Sequence, residues 1–201
     1  MDKQKIIAEF VEFVEGRMPF DEFEHNYKTN PDYFKVLEDK KPNKKFPYQK
    51  GKTINQCLRW FKWESTRGKV VVHDYIMRYL LSYKFSVIPT TYYIDELKFR
   101  AEIQPSYIEI EDEDFLNTII ATAPTELTKA QKKQWLKEKL KSLFKYDNKP
   151  PRWIQDPEWP IVNGEPLIFK SQTKERKDDE RVFYTFYHPK TGEETIIEQA
   201  Y

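Results

Sequence analysis

Between Pro150 and Pro160 the chain places four prolines and two tryptophans in eleven residues, Pro-Pro-Arg-Trp-Ile-Gln-Asp-Pro-Glu-Trp-Pro. Each proline fixes its own φ at about −65° and steers the residue before it away from helix. The segment is therefore a stiff, apolar strap that packs on a core with little residual freedom. Upstream of it apolar residues recur at helical spacing; downstream they alternate.

On the upstream side, Ile6, Ile7, Phe10, Phe13 and Val14 predict a helix over 3–15, closed by Gly16. Phe20, Phe23 and Tyr27 predict a second helix ending near Thr29, and Pro31 opens a third to Glu38 that buries Phe34 and Leu37. Residues 39–52 read as a charged loop. Thr53 and Gln56 have capping-box spacing, and the helix they open is expected to run to Ser65, with a turn at 66–69. Helix resumes from about His73 through Tyr75, Ile76, Tyr79 and Leu80. Residues 92–99 fit a helix, 107–110 a short extended piece, and Asp112 starts a helix through Ile120. Thr128 and Gln131 repeat the capping box and open a longer helix to about Tyr146.

Downstream, 166–172, 181–188 and 194–200 alternate as strands do, with a turn at Pro189–Gly192. The expected fold class is α+β, a mostly helical body with a C-terminal three-stranded antiparallel sheet. The expected division is a helical body over 1–148, with an N-terminal helical subdomain over 1–39. Residues 149–201 are then the strap and meander, packed on that body as one unit.

Composition sets the limits on function. Aromatic residues reach 16%, and their large buried area offsets a hydrophobic content of only 39% against 33% charged. Net charge is +1, so no global field draws the chain to nucleic acid or membrane. Its distribution is uneven: residues 40–69 carry ten Lys or Arg and one acid, Glu64, whereas 109–114 carry five acids and no base. Cys57 is the single cysteine, which excludes an intrachain disulfide. No secretory signal and no membrane-spanning run is present, so a cytoplasmic location and no membrane partner are expected.

No catalytic signature emerges. Five glycines form no phosphate-binding or dinucleotide fingerprint, and no nucleophile elbow occurs. His25, His73 and His188 lack ligand spacing, so no metal or cofactor is expected. The acids Glu109, Glu111, Asp112, Glu113 and Asp114 lack the glycine of a calcium loop and suit a helix start, where they complement its dipole, or an acidic recognition surface. The basic stretch, with Lys44, Lys45 and Lys50, interleaves with Phe46, Tyr48, Trp60, Phe61 and Trp63; such a pattern grips phosphates and stacks bases. Trp60 and Phe61 are expected to turn toward the core and Trp63 outward. Trp153 and Trp159 are expected to pack on the helix bearing Trp135.

The run from Pro150 through Asn163-Gly-Glu-Pro-Leu-Ile-Phe to Gln172, then Phe183-Tyr-Thr-Phe-Tyr-His-Pro-Lys-Thr-Gly192 and Gln199, resembles small uncharacterised bacterial proteins, some of them similar to immunity proteins of polymorphic toxin and contact-dependent inhibition systems. Phe10 to Phe23, with Thr29-Asn-Pro31, resembles the opening of such proteins more weakly. The resemblance implies a non-enzymatic module that binds a cognate toxin and carries over no catalytic residue. The partner-facing residues would be the 109–114 acids against a basic nuclease, or the 40–52 lysines otherwise. A nucleic-acid-associated accessory protein, using 40–69 and the Lys129–Lys145 helix, is the alternative.

Overall fold

Among the described residues, most of the helical spacing in the first half of the sequence becomes helix. The computed structural model describes residues 3–38, 52–174 and 180–200. Its chain divides into two compact units, Met1–Lys98 and Phe99–Tyr201.

The first unit holds α1 (Lys3–Val14), α2 (Phe20–Thr29), α3 (Pro31–Leu37), α4 (Ile54–Leu58), α5 (Thr66–Ser82) and the start of α6 (Tyr92–Ile103). Its core is largely aromatic. Phe13 stacks on Phe23 with centroids 3.9 Å apart, Phe10 meets Tyr33 edge-on at 5.2 Å, and Trp63 leans on Tyr27 at 4.5 Å. Such pairs each contribute about 0.5–1.5 kcal/mol beyond their area burial. Gly16 ends α1 with a φ of +78°, and a β-carbon there would lie 3.0 Å from the Thr90 side chain. Position 16 accordingly needs glycine for both conformation and space.

Three expectations fail between Thr53 and Val72. The capping box forms as expected, but α4 lasts only to Leu58 instead of running to Ser65. The expected turn at 66–69 is the first turn of α5. The Ser65 hydroxyl caps it, accepting from the Gly68 amide at 2.9 Å and donating to the Lys62 carbonyl at 2.7 Å. A β-carbon on Gly68 would sit 1.8 Å from that Lys62 oxygen, so the glycine permits a close backbone approach. The β-branched run Val70–Val72 lies within this helix, its strand preference overridden by packing.

The second unit holds α7 (Glu113–Ala121), α8 (Lys129–Leu143), a short hairpin of β1 (Ile161–Val162) and β2 (Glu165–Pro166), and the strands β3 (Ile168–Thr173), β4 (Arg181–Tyr187) and β5 (Glu194–Ala200). The strands form an antiparallel sheet in the order β3-β4-β5, which gives the chain its α+β class. α8 stops at Leu143; Tyr146 instead bridges to Phe169 beside β3. Residues 107–110 join no strand. Asn163 and Gly164 turn the short hairpin with φ of +50° and +75°, the signature of a type I′ turn.

Leu136, Leu140 and Phe144 share a core with Val182, Tyr184 and Phe186 of β4. The unit boundary therefore falls inside α6 rather than at 148/149, because α7 and α8 belong with the sheet. The N-terminal helices likewise extend beyond residue 39, since α4 and α5 share their core.

The strap is pinned by the polar ends of rings. Tyr184 OH donates to the Arg152 carbonyl and accepts from the Ile154 amide, both at 3.0 Å. Trp153 donates to the Tyr107 carbonyl at 2.9 Å, and Trp159 to that of Leu167 at 2.8 Å. Gln199 accepts from the Gln155 amide and donates to the Asp156 carbonyl. The indoles lie against the sheet: Trp153 on Tyr184 and Phe186, Trp159 on Phe186, Phe169 and Phe144.

Candidate functional site

α5 turns Val72, Tyr75, Ile76, Tyr79 and Leu80 into the first core. The residues between them, Val70, Val71, Asp74 and Met77, remain half-buried on another face. That face lines a groove of ≈530 Å³, to which Phe61, Pro89, Thr90 and Ile94 also contribute. The chain leading into Pro89 exposes further apolar side chains: Leu81, Phe85 and Ile88, the last 82% accessible.

The groove's shape depends on one carbonyl. Val14 O, at the C-terminus of α1, is bonded by His73 Nε2 at 2.9 Å and by the Thr90 amide at 2.9 Å. A carbonyl accepts only, so Nε2 carries a proton there. Burial pushes the His73 pKa down, opposed by the Val14 hydrogen bond and by Asp74. The Asp74 carboxylate accepts from Arg78 Nε at 2.6 Å. Burial, reinforced by Cys57 and Asp74, holds the Tyr75 hydroxyl well above its usual range. A mostly apolar floor with few polar groups suits holding a ligand or segment.

Of the residues singled out in the sequence, Phe61 and His73 line this groove, and the other described ones do not. Lys44, Lys45 and Lys50 lie outside the described residues. Trp63 is a correction: it is 7% exposed and donates to the Leu58 carbonyl at 3.0 Å. Trp60 takes the outward position instead, 63% exposed with Lys52 Nζ 3.1 Å from its ring centroid. The early end of α4 causes this exchange, because residues beyond Leu58 no longer follow its helical phase.

Among the acids, Asp112 caps α7 by accepting from the Phe115 amide at 2.9 Å, and Glu113 lies 4.0 Å from Arg100. Glu109, Glu111 and Asp114 are exposed. His25 is exposed, and His188 Nδ1 accepts from the Lys190 amide within the turn after β4. No group of three or more His, Cys, Asp or Glu among the described residues is placed to hold a metal ion. Cys57 is fully buried. No helix among the described residues is long and apolar enough to cross a membrane.

In the second unit, recesses of ≈460 and ≈400 Å³ flank the strap and share Lys149, Pro150 and Arg152. No family model, curated protein or solved structure matches this chain. The α5 groove was missed in the sequence because Phe61, the α5 stripe and Pro89–Ile94 form no contiguous motif. The available signal was the second apolar stripe on α5, Val70, Met77 and Leu81, left over once the core-facing residues are assigned.

Proposed function

We propose that this chain is a protein-binding module and that the α5 groove receives an apolar helical segment of its partner. The supporting observation is the alignment of Val70, Asp74 and Met77 along one helix face, which lines a groove together with Pro89 and Ile94. Amphipathic helices bind such grooves through apolar anchors one helical turn apart. Half-buried methionine adapts to the anchor's shape. An immunity role, with a toxin as that partner, is the specific form of this reading.

The test is affinity capture from the cell of origin with the full chain and with Met77→Glu, whose unfolding curves are first shown to coincide. A protein retained by the parent and lost with Met77→Glu, and whose toxicity the parent suppresses, supports the reading. Equal capture by both chains removes it.

A second reading, binding to single-stranded nucleic acid, is favoured by exposed Trp60 with Lys52 Nζ over its ring and by the exposed bases Arg59 and Lys62 beside it in sequence. Titration with a single-stranded oligonucleotide at two salt concentrations tests it. Phosphate contacts would give a steep loss of affinity with salt, and Trp60→Ala would remove the stacking contribution.

A further inference from the structure

Among the described residues, the sheet of the second unit ends at β5, which pairs with β4. The register sets Val182 opposite Gln199, Tyr184 opposite Ile197 and Phe186 opposite Thr195. The His188 amide donates to the Glu193 carbonyl at the closing hairpin. Hydrogen-bonded pairs in an antiparallel ladder recur every second residue. Residues 193, 195, 197 and 199 therefore bond to β4, and 194, 196, 198 and 200 direct their amides and carbonyls away from it. The Ala200 carbonyl has a partner on that outer side, accepting from Gln155 Nε2 at 2.5 Å. Among the described residues, none bonds the outward main-chain groups of Glu194, Ile196 or Glu198. Among the described residues, the outer edge of this unbulged strand is therefore open from Glu194 to Glu198.

The side chains along this edge say what would fit. Ile196 is 63% exposed, and Glu194 and Glu198 flank it at two-residue spacing. Their carboxylates reach inward to Lys170 at 2.5 Å and to Arg181 at 3.6 Å, yet each side chain stays about half exposed. A second copy of this chain, paired antiparallel about Ile196, would set Glu194 against Glu198 twice. Like charges directly opposite destabilise a strand pair. A basic strand meets no such repulsion.

We propose that the β5 edge receives an extended segment of a partner protein as an added strand, its alternate residues running basic, apolar, basic opposite Glu194, Ile196 and Glu198. Main-chain hydrogen bonds supply the attachment, and the two acids with the central isoleucine select the sequence. This surface stands independently of the α5 groove.

The probe is a labelled peptide with the core Lys-Thr-Ile-Thr-Lys, titrated into the full chain, beside a control in which both lysines are glutamates. The lysine peptide is expected to bind at least roughly tenfold tighter, because two attractive pairs become repulsive ones. Amide exchange at Ile196 and Glu198 should slow on binding while Ile197 stays unchanged. Ile196→Pro removes an outward amide without removing a ladder bond, as edge prolines do, and should abolish binding. Should that variant fail to fold, a peptide N-methylated at its central residue makes the same test on the parent chain. Equal affinity for both peptides, no binding of the lysine peptide, binding that survives both backbone blocks, or protection elsewhere overturns the proposal. So does self-association through β5.

Discussion

The two units solve the same problem, a core with few aliphatic residues, in different ways. In the first, the phenylalanines of α1 and α2 meet each other, Tyr33 and Tyr79 edge-on, tilted or stacked, contacts set by shape, and the polar ends of Trp63 and His73 bond carbonyls at helix ends. In the second, Tyr184, Trp153 and Trp159 bury their rings and use their polar ends to hold a strap that forms no regular structure. Helices satisfy their own backbone; an irregular segment relies on other partners. Aromatic side chains with a donor supply both functions at once.

Ring truncation tests the contrast most strongly. Phe23→Ala and Trp159→Ala should each cost about 3–5 kcal/mol in urea unfolding, the usual range for a large buried ring. Removing only a polar end separates the units: Tyr184→Phe strands two strap main-chain groups and should cost about 1–3 kcal/mol. An unchanged midpoint would mean that the strap is held by shape, as the phenylalanine contacts of the first core are. Gly68→Ala should also cost about 1–3 kcal/mol by forcing α5 away from the Lys62 carbonyl, read as a lower thermal midpoint with helicity retained. Asp112→Ala should cost about 1 kcal/mol through the lost cap, whereas exposed Glu111→Gln should leave the midpoint unmoved.

The smallest expected effect follows pH. The folded pKa of His73 lies below its unfolded value, so the unfolded chain binds the proton more readily. The stability associated with a neutral His73 is present above about pH 6.5, the unfolded value, and is lost as pH falls from there through the folded pKa. Denaturant unfolding at pH 7.5 and 5.5 should show this loss, reduced in His73→Gln. An identical loss in that variant would place the proton elsewhere.

Much of this architecture was legible in the sequence. Both capping boxes, the Gly16 stop and the three long strands follow from residue types whose local preference agrees with their surroundings. Residues 59–72 were not legible, because Gly68 suggests a turn and Val70–Val72 a strand, while the deciding contact is with a carbonyl six residues back. The unit boundary was hidden because it falls within α6, where composition does not change. Of the candidate site residues, Asp112 was readable as a helix start and Trp63 was misplaced by the shortened α4. The groove is tertiary, assembled from three stretches that carry no common pattern.

The hairpin at Asn163-Gly164 has one more consequence. Trp159 donates to a carbonyl eight residues further on, and the Leu167 amide returns to Pro160. The two-residue turn between them thus works as a gauge. One residue added or removed there would break the pairing of β1 with β2 and swing Leu167 off the indole. Related chains that differ in length should place their insertions and deletions outside the span from Trp159 to Leu167.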